Sequence, residues 1–183
     1  MPRVYLGIGS NVARDANIAG ALASLRERFA PLTVSPIYES KPVGFDGARF
    51  HNLVVGFDTE VDLIALRRDL SDVEQRHGRR PETPRYAPRP LDLDILLYGH
   101  RVFRTDGIEV PRRDILEYAF VLRPLADIAP DLRHPANGRR IADLWQAFDQ
   151  TAQPLWRVSS LHGSAASWPA PTLPLTGGGG TIE

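Results

Sequence analysis

The sequence predicts an α+β fold, a ferredoxin-like β-α-β-β-α-β sandwich with extra C-terminal elements. Two observations carry that expectation. Segments of strand-like alternation and segments of helical apolar spacing follow one another in that order. From His162 onward the chain turns to Gly, Ser, Ala, Pro and Thr. Such a composition predicts a flexible tail over 162–183 and leaves 1–161 as a single domain.

Arg3 to Gly9 reads as the first strand, and Ser10-Asn11 breaks it. Asp15 is the expected N-cap of a helix running to about Ala30, with Ile18, Leu22, Leu25 and Phe29 as its inner stripe. Leu32 to Glu39 reads as a second strand, with Pro36 marking a bulge or an edge. Ser40 to Arg49 holds Pro42, Gly44 and Gly47 and reads as a loop. Phe50 to Asp58 is the third strand. Asp62 opens a second helix to about His77, with Leu63, Leu66, Leu70 and Val73 facing inward and Gly78 ending it. Prolines make 79–90 a loop before the fourth strand. A short strand is expected at Arg101 to Phe103, a helical turn at Pro111 to Glu117, a core segment at Ala119 to Leu122 and a helix at Ile141 to Phe148. No expectation attaches to 154–160.

The fourth strand carries the chemistry. In Arg85-Tyr-Ala-Pro-Arg-Pro-Leu-Asp-Leu-Asp-Ile-Leu-Leu-Tyr98, the residues Leu91, Leu93, Ile95 and Leu97 alternate with Asp92, Asp94, Leu96 and Tyr98. A period of two puts both aspartates on one face. Neighbouring carboxylates repel unless a cation lies between them, and oxygen donors without His or Cys favour Mg²⁺ over zinc. Arg89, just before the strand, suits a phosphate. The same alternation also fits the solvated face of an edge strand. The rigid Pro-Arg-Pro lead-in favours the metal–nucleotide reading, because a solvated edge needs none.

Composition narrows the classes. The 183 residues include no cysteine, so disulfides and thiolate chemistry are excluded. Net charge is zero, which argues against a nucleic-acid binder even though a ferredoxin-like plan rich in arginine also fits an RNA-binding module. No apolar run is long enough for a membrane span, and no basic region followed by an apolar one opens the chain. A cytoplasmic monomer is expected. Among 22 basic residues Lys41 is the single lysine, and arginines gather on both sides of the aspartate pair. Leu6-Gly-Ile-Gly-Ser-Asn11 lacks the full dinucleotide fingerprint and reads as a structural turn.

The stretch from Arg85 to Gly99 closely resembles the signature of the 6-hydroxymethyl-7,8-dihydropterin pyrophosphokinase family, enzymes of the folate pathway. Gly9-Ser-Asn11, Ile37-Tyr-Glu-Ser-Lys-Pro-Val-Gly44, Phe50-His-Asn52, Glu74 with Gly78-Arg79, and the run Phe120 to Pro130 extend the resemblance over about 3–150. It implies transfer of diphosphate from the co-substrate ATP to the hydroxymethyl group of a reduced pterin, releasing AMP. Asp92 and Asp94 would hold two Mg²⁺ ions, with Arg89 and Arg112 as catalytic partners. Ser40, Val43, Phe50, Asn52 and Phe120 would contact the pterin, the two phenylalanines from either side. Glu74, Arg79, Arg80, Tyr86, Arg89 and Arg112 would meet ATP.

The resemblance also identifies departures, all on the triphosphate side. Arg112 stands where the family usually has His, Tyr118 and Pro81 where it has phosphate-binding arginines, and Tyr86 where it has Trp. Arg80, Arg112 or Arg113 could supply the missing charge. The competing readings are a divergent paralogue acting on a related pterin, as in a methanopterin-type pathway, and a catalytically weak pterin- or nucleotide-binding protein.

Overall fold

The computed structural model describes residues 1–80, 87–105 and 107–159. The tail expected over 162–183, and Tyr86, lie outside the described residues. The elements are β1 (Arg3–Ser10), α1 (Arg14–Phe29), β2 (Thr33–Val34), β3 (Ile37–Ser40), β4 (Phe50–Asp58), α2 (Leu63–Arg76), β5 (Asp92–Tyr98), β6 (Phe103–Thr105), β7 (Ile108–Val110), α3 (Asp114–Glu117), α4 (Ala119–Ile128), α5 (Ile141–Gln146) and β8 (Trp156–Val158). The main sheet runs β5-β1-β4-β3-β8 with β2 beside β4, and every pairing is antiparallel. The α+β, ferredoxin-like architecture is therefore the one the sequence predicts.

Two cores flank this sheet. On one face Val4, Leu6 and Ile8 of β1 meet Ile18, Leu22 and Leu25 of α1 and Leu66 and Leu70 of α2. On the other, Tyr5, Val54, Leu96 and Leu97 pack against α3, α4 and α5 through Ile115, Leu122, Leu125 and Ile141. Burying such side chains on both faces is the main driving force holding the sheet between its two helical layers. Among the described residues no helix is long and apolar enough to cross a membrane.

The second helix follows its sequence closely: Asp62 accepts from the N–H groups of Ile64 and Ala65, both at 3.0 Å, and Gly78 takes φ +89° beyond the last turn. The first does not. Its preceding residue is Ala13 at φ 42°, without a side-chain cap. Asp15 sits inside the first turn, its carboxylate 3.0 Å from Nδ1 of His51. The expected strand over 32–39 splits at Ser35-Pro36, where Ser35 exchanges bonds with Val54 and Pro36 has no N–H to give.

Alternation along β5 also breaks. Tyr5 pairs with Leu97 and Leu6 with Ile95, so Leu96 is an extra residue. The bulge puts Leu96 and Leu97 in the α4 core and turns Tyr98 to the opposite core, where its hydroxyl donates to the Val61 carbonyl at 2.7 Å. The expected grouping of Leu97 with Leu93 and Ile95, and of Tyr98 with the aspartates, is thereby corrected. The strand expected at 101–103 lies at Phe103–Thr105 and forms a hairpin with β7. The core segment at 119–122 is the opening of a ten-residue helix that continues through Pro124.

Candidate active site

Gly7 and Gly9 form the floor of a cleft of about 260 Å³. On one side of β1, Gly7 pairs with Asp94 and Gly9 with Asp92; on the other, Gly7 pairs with Val54 and Gly9 with Asn52. Directly paired residues project to the same face. The two glycines therefore leave a trough between the carboxylates on β5 and the amide on β4. A Cβ on Gly9 would stand 3.3 Å from Oδ1 of Asn52, and one on Gly7 would stand 3.4 Å from a methyl of Leu96. The sequence places Gly7 and Gly9 in the first strand, and Leu6-Gly-Ile-Gly-Ser-Asn11 reads as a structural turn, with no part in a site. Glycine at alternate positions inside a strand is the signal of close approach that could have found it.

The entry to β5 is clamped by the Ser10-Asn11 corner. Asn11 N–H donates to the Arg89 carbonyl at 3.0 Å, Arg89 N–H donates to Oδ1 of Asn11 at 2.6 Å, and the Ser10 hydroxyl donates to the Pro90 carbonyl at 2.6 Å. The clamp holds Arg89 at the cleft, with its guanidinium 3.1 Å from Asp92. Arg79 reaches Asp92 from behind while also bonding Glu74. Glu74 is buried, accepts the Leu93 N–H at 2.7 Å and does not line the cleft. Burial pushes the Glu74 carboxyl up against the pull of that N–H and Arg79. Arg80 is exposed and also lies away from the cleft lining, as does Arg113, which faces Glu109 at 3.7 Å.

Asp94 meets Arg112 at 3.3 Å, and Arg112 in turn donates to Asp114 at 2.6 Å. Burial, and then the charge of Asp92, push the Asp94 carboxyl up to about 7 despite Arg112. Its side chain is still 29 % exposed, as expected of a group at the floor of a narrow opening, where protein surrounds it and water reaches one side. Among the described residues no group of three or more His, Cys, Asp and Glu could hold a metal. The donor set is two carboxylates on one face, which suits Mg²⁺, an ion that keeps waters and takes oxygens from a bound phosphate. A carboxyl raised by burial and by its neighbour's charge is also one that a divalent cation would stabilise in ionised form.

The other half of the cleft is flat and apolar. Asn52 is buried and donates to the Ser40 hydroxyl at 2.9 Å, which fixes its amide and aims Oδ1 at the trough. Phe50 and Phe120 both line the cleft; Phe45 meets Phe50 edge-on, and Tyr118 stacks on Phe120 with ring centres 5.0 Å apart. Val43, exposed on the loop after β3, forms part of the rim beside Lys41. The structure thus gathers Ser40, Val43, Phe50, Asn52, Arg89, Asp92, Asp94, Arg112 and Phe120 around one opening. Sequence reasoning missed Gly7, Gly9, Lys41 and Asp114 as lining residues.

Comparison with known proteins gives a consistent picture. Residues 5–130 match the family model described as 7,8-dihydro-6-hydroxymethylpterin-pyrophosphokinase. The chain is 40 % identical over 149 residues to the 2-amino-4-hydroxy-6-hydroxymethyldihydropteridine pyrophosphokinase of Pseudomonas aeruginosa, covering 79 % of this chain and 91 % of that protein. Identity to the Bacillus subtilis protein of the same name is 33 % over 160 residues, covering 85 % and 91 %. Among solved structures, the Plasmodium falciparum HPPK-DHPS protein superposes with a TM-score of 0.63 at 14 % identity, over 79 % of this chain. The chain spans 44 % of that structure's length, and the likeness bears on fold alone.

Proposed function

The chain belongs to the 7,8-dihydro-6-hydroxymethylpterin-pyrophosphokinase family, and from that premise we propose how its cleft transfers diphosphate from ATP to the hydroxymethyl group of 6-hydroxymethyl-7,8-dihydropterin, releasing AMP, in folate synthesis. One observation carries the reading. Asn52, Gly9 and Asp92 lie side by side on three neighbouring strands. Two strand spacings separate the amide from the carboxylate by about 10 Å. A pterin whose edge is read by Asn52 therefore extends its hydroxymethyl arm across Gly9 toward the aspartates.

Each residue then has a role that its setting supports. Phe50 and Phe120 take the faces of the ring, and Asn52, held by Ser40, pairs with its polar rim. Val43 closes over the edge. Asp92 and Asp94 would hold Mg²⁺, two ions by family resemblance, and the metal would supply charge neutralisation and alignment of the phosphates. Arg89 and Arg112 already stand beside these carboxylates and offer their remaining N–H groups to the transferred diphosphate. Glu74 orients Arg79 toward the same phosphates, with Arg80 next to it in the chain. The phosphate-side charge that the resemblance finds missing at Tyr118 is carried by Arg112.

The test is direct. The protein is incubated with Mg-ATP and the dihydropterin, and the nucleotides are separated. AMP formed only when pterin is present supports the proposal. ADP would mean single-phosphoryl transfer, and tight pterin binding without turnover would mean a binding protein.

A further inference from the structure

We infer that Tyr118 is a positioning residue for the substrate ring, acting by backing the face of Phe120 that the ring does not use. The inference rests on the pterin reading of the cleft. Tyr118 and Phe120 lie 5.0 Å apart between ring centres with only 14° between their planes, and both line the cleft. Phe120 is thus covered on one face by a parallel ring, which leaves the opposite face as the one proposed to meet a ligand. An isolated phenylalanine at the rim of an opening turns freely about its side-chain bonds; one pressed against a parallel ring does not.

The backbone holds the pair in place. Tyr118 is the extended residue between α3 and α4, at φ −125° and ψ 126°. Its N–H donates to the Asp114 carbonyl at 3.0 Å, and its own carbonyl accepts from Val121 at 3.1 Å and Leu122 at 3.0 Å. Three bonds therefore fix where its side chain leaves the chain, and Phe120 follows two residues later on the first turn of α4. The same Asp114 that anchors Tyr118 through its carbonyl binds Arg112 through its carboxylate at 2.6 Å. The aromatic wall and the arginine beside Asp94 thus share one anchor.

This gives position 118 a role distinct from phosphate contact. A tyrosine brings no positive charge to the cleft, and its flat face, rather than its hydroxyl, is what the geometry employs. The wall becomes two rings thick, and the substrate meets a Phe120 that is already oriented. Pre-organisation of this kind lowers the ordering cost of binding and shows in ring affinity, not in nucleotide affinity.

The test compares Tyr118→Phe, Tyr118→Leu and Tyr118→Met in the full chain. Dissociation constants for the dihydropterin and for Mg-ATP are measured separately by calorimetry. Tyr118→Phe is expected within about twofold of the parent for both ligands, because the flat face is kept. Tyr118→Leu and Tyr118→Met are expected to weaken pterin binding about fivefold and leave ATP binding unchanged. Unchanged ATP binding also reports that each variant is folded, and either apolar variant suffices if the other is not. Pterin binding within twofold of the parent in a folded apolar variant would overturn the inference. So would a loss of ATP affinity in Tyr118→Phe, which would assign the role to the hydroxyl. A parent protein that binds no pterin would instead overturn the functional proposal itself.

Discussion

The backbone N–H of Arg112 donates to the Leu96 carbonyl at 2.8 Å, and Leu96 is the extra residue of the β5 bulge. The irregularity in the strand therefore supplies the acceptor that docks the post-hairpin segment. It brings the Arg112 guanidinium to 3.3 Å from Asp94. A bulge that re-aims a neighbouring segment next to a site is a recurrent use of this geometry.

Arg112→Ala should lower turnover about 100-fold, the scale of losing one well-placed charged donor to the transferred group. The pterin dissociation constant should stay within about twofold, since Arg112 is on the carboxylate side of the trough. Steady-state kinetics together with equilibrium pterin binding separate the two. A variant with normal turnover would show that Arg112 does not serve the phosphates.

Asp94→Asn should reduce turnover by at least about 100-fold while pterin still binds. The same variant has a pH signature in the absence of divalent cation. The Asp94 carboxyl is raised to about 7 in the fold and lies near 4 in an unfolded chain. Between those values the folded state keeps a proton that the unfolded state has lost, so stability falls as pH rises through that window. Asparagine has no proton to lose. Metal-free melts should show the variant gaining on the parent from pH 4 to pH 7 and levelling off above, with the gap widening by about 10 °C, the scale of about 4 kcal/mol. A gap that does not change with pH would count against the raised carboxyl.

Gly9→Ala should damage pterin binding more than stability. Alanine suits a strand better than glycine, so the unfolding free energy should change by no more than about 0.5 kcal/mol. Its methyl carbon would press on Oδ1 of Asn52 from 3.3 Å. The KM for pterin should rise about tenfold, as expected when crowding costs about 1–2 kcal/mol. An unaffected KM would mean that the trough is wider than the substrate needs.

Glu74→Ala should lower stability by about 2 kcal/mol, because the Leu93 N–H is left without its acceptor in a buried setting. Urea denaturation measures this. Glu74→Gln keeps an acceptor for that N–H and should recover part of the loss, while both variants weaken ATP binding by releasing Arg79. A variant as stable as the parent would argue that Glu74 serves the nucleotide alone.

Much of this site could be read before any coordinates. The aspartate alternation, the Asp62 cap and the stripe Ile18, Leu22, Leu25, Phe29 are local patterns, and local patterns carry over to the fold directly. What stayed hidden depends on partners distant in sequence. Nothing in Ile95-Leu-Leu-Tyr98 marks Leu96 as the bulge, because every residue there is apolar and the choice is made by packing against α4. Proline is unfavourable inside a helix, yet α4 runs through Pro124, giving up the donor that would serve the Phe120 carbonyl. Asp15 reads as a cap, but its carboxylate turns to His51 on β4. Gly7 and Gly9 read as purely structural because their meaning lies in Asn52 and the aspartates on either side.

Placing Gly7 and Gly9 on β1 has a mechanical consequence. β1 is bonded along both of its edges, to β4 and β5, over nearly its whole length. The floor of the cleft is therefore the segment whose backbone opens last, and amide exchange there should follow whole-molecule unfolding. Lys41 and Val43, at the rim, sit on the loop at 41–49, outside the sheet. On the proposed function, that floor is a fixed reference for the distance between ring and phosphate.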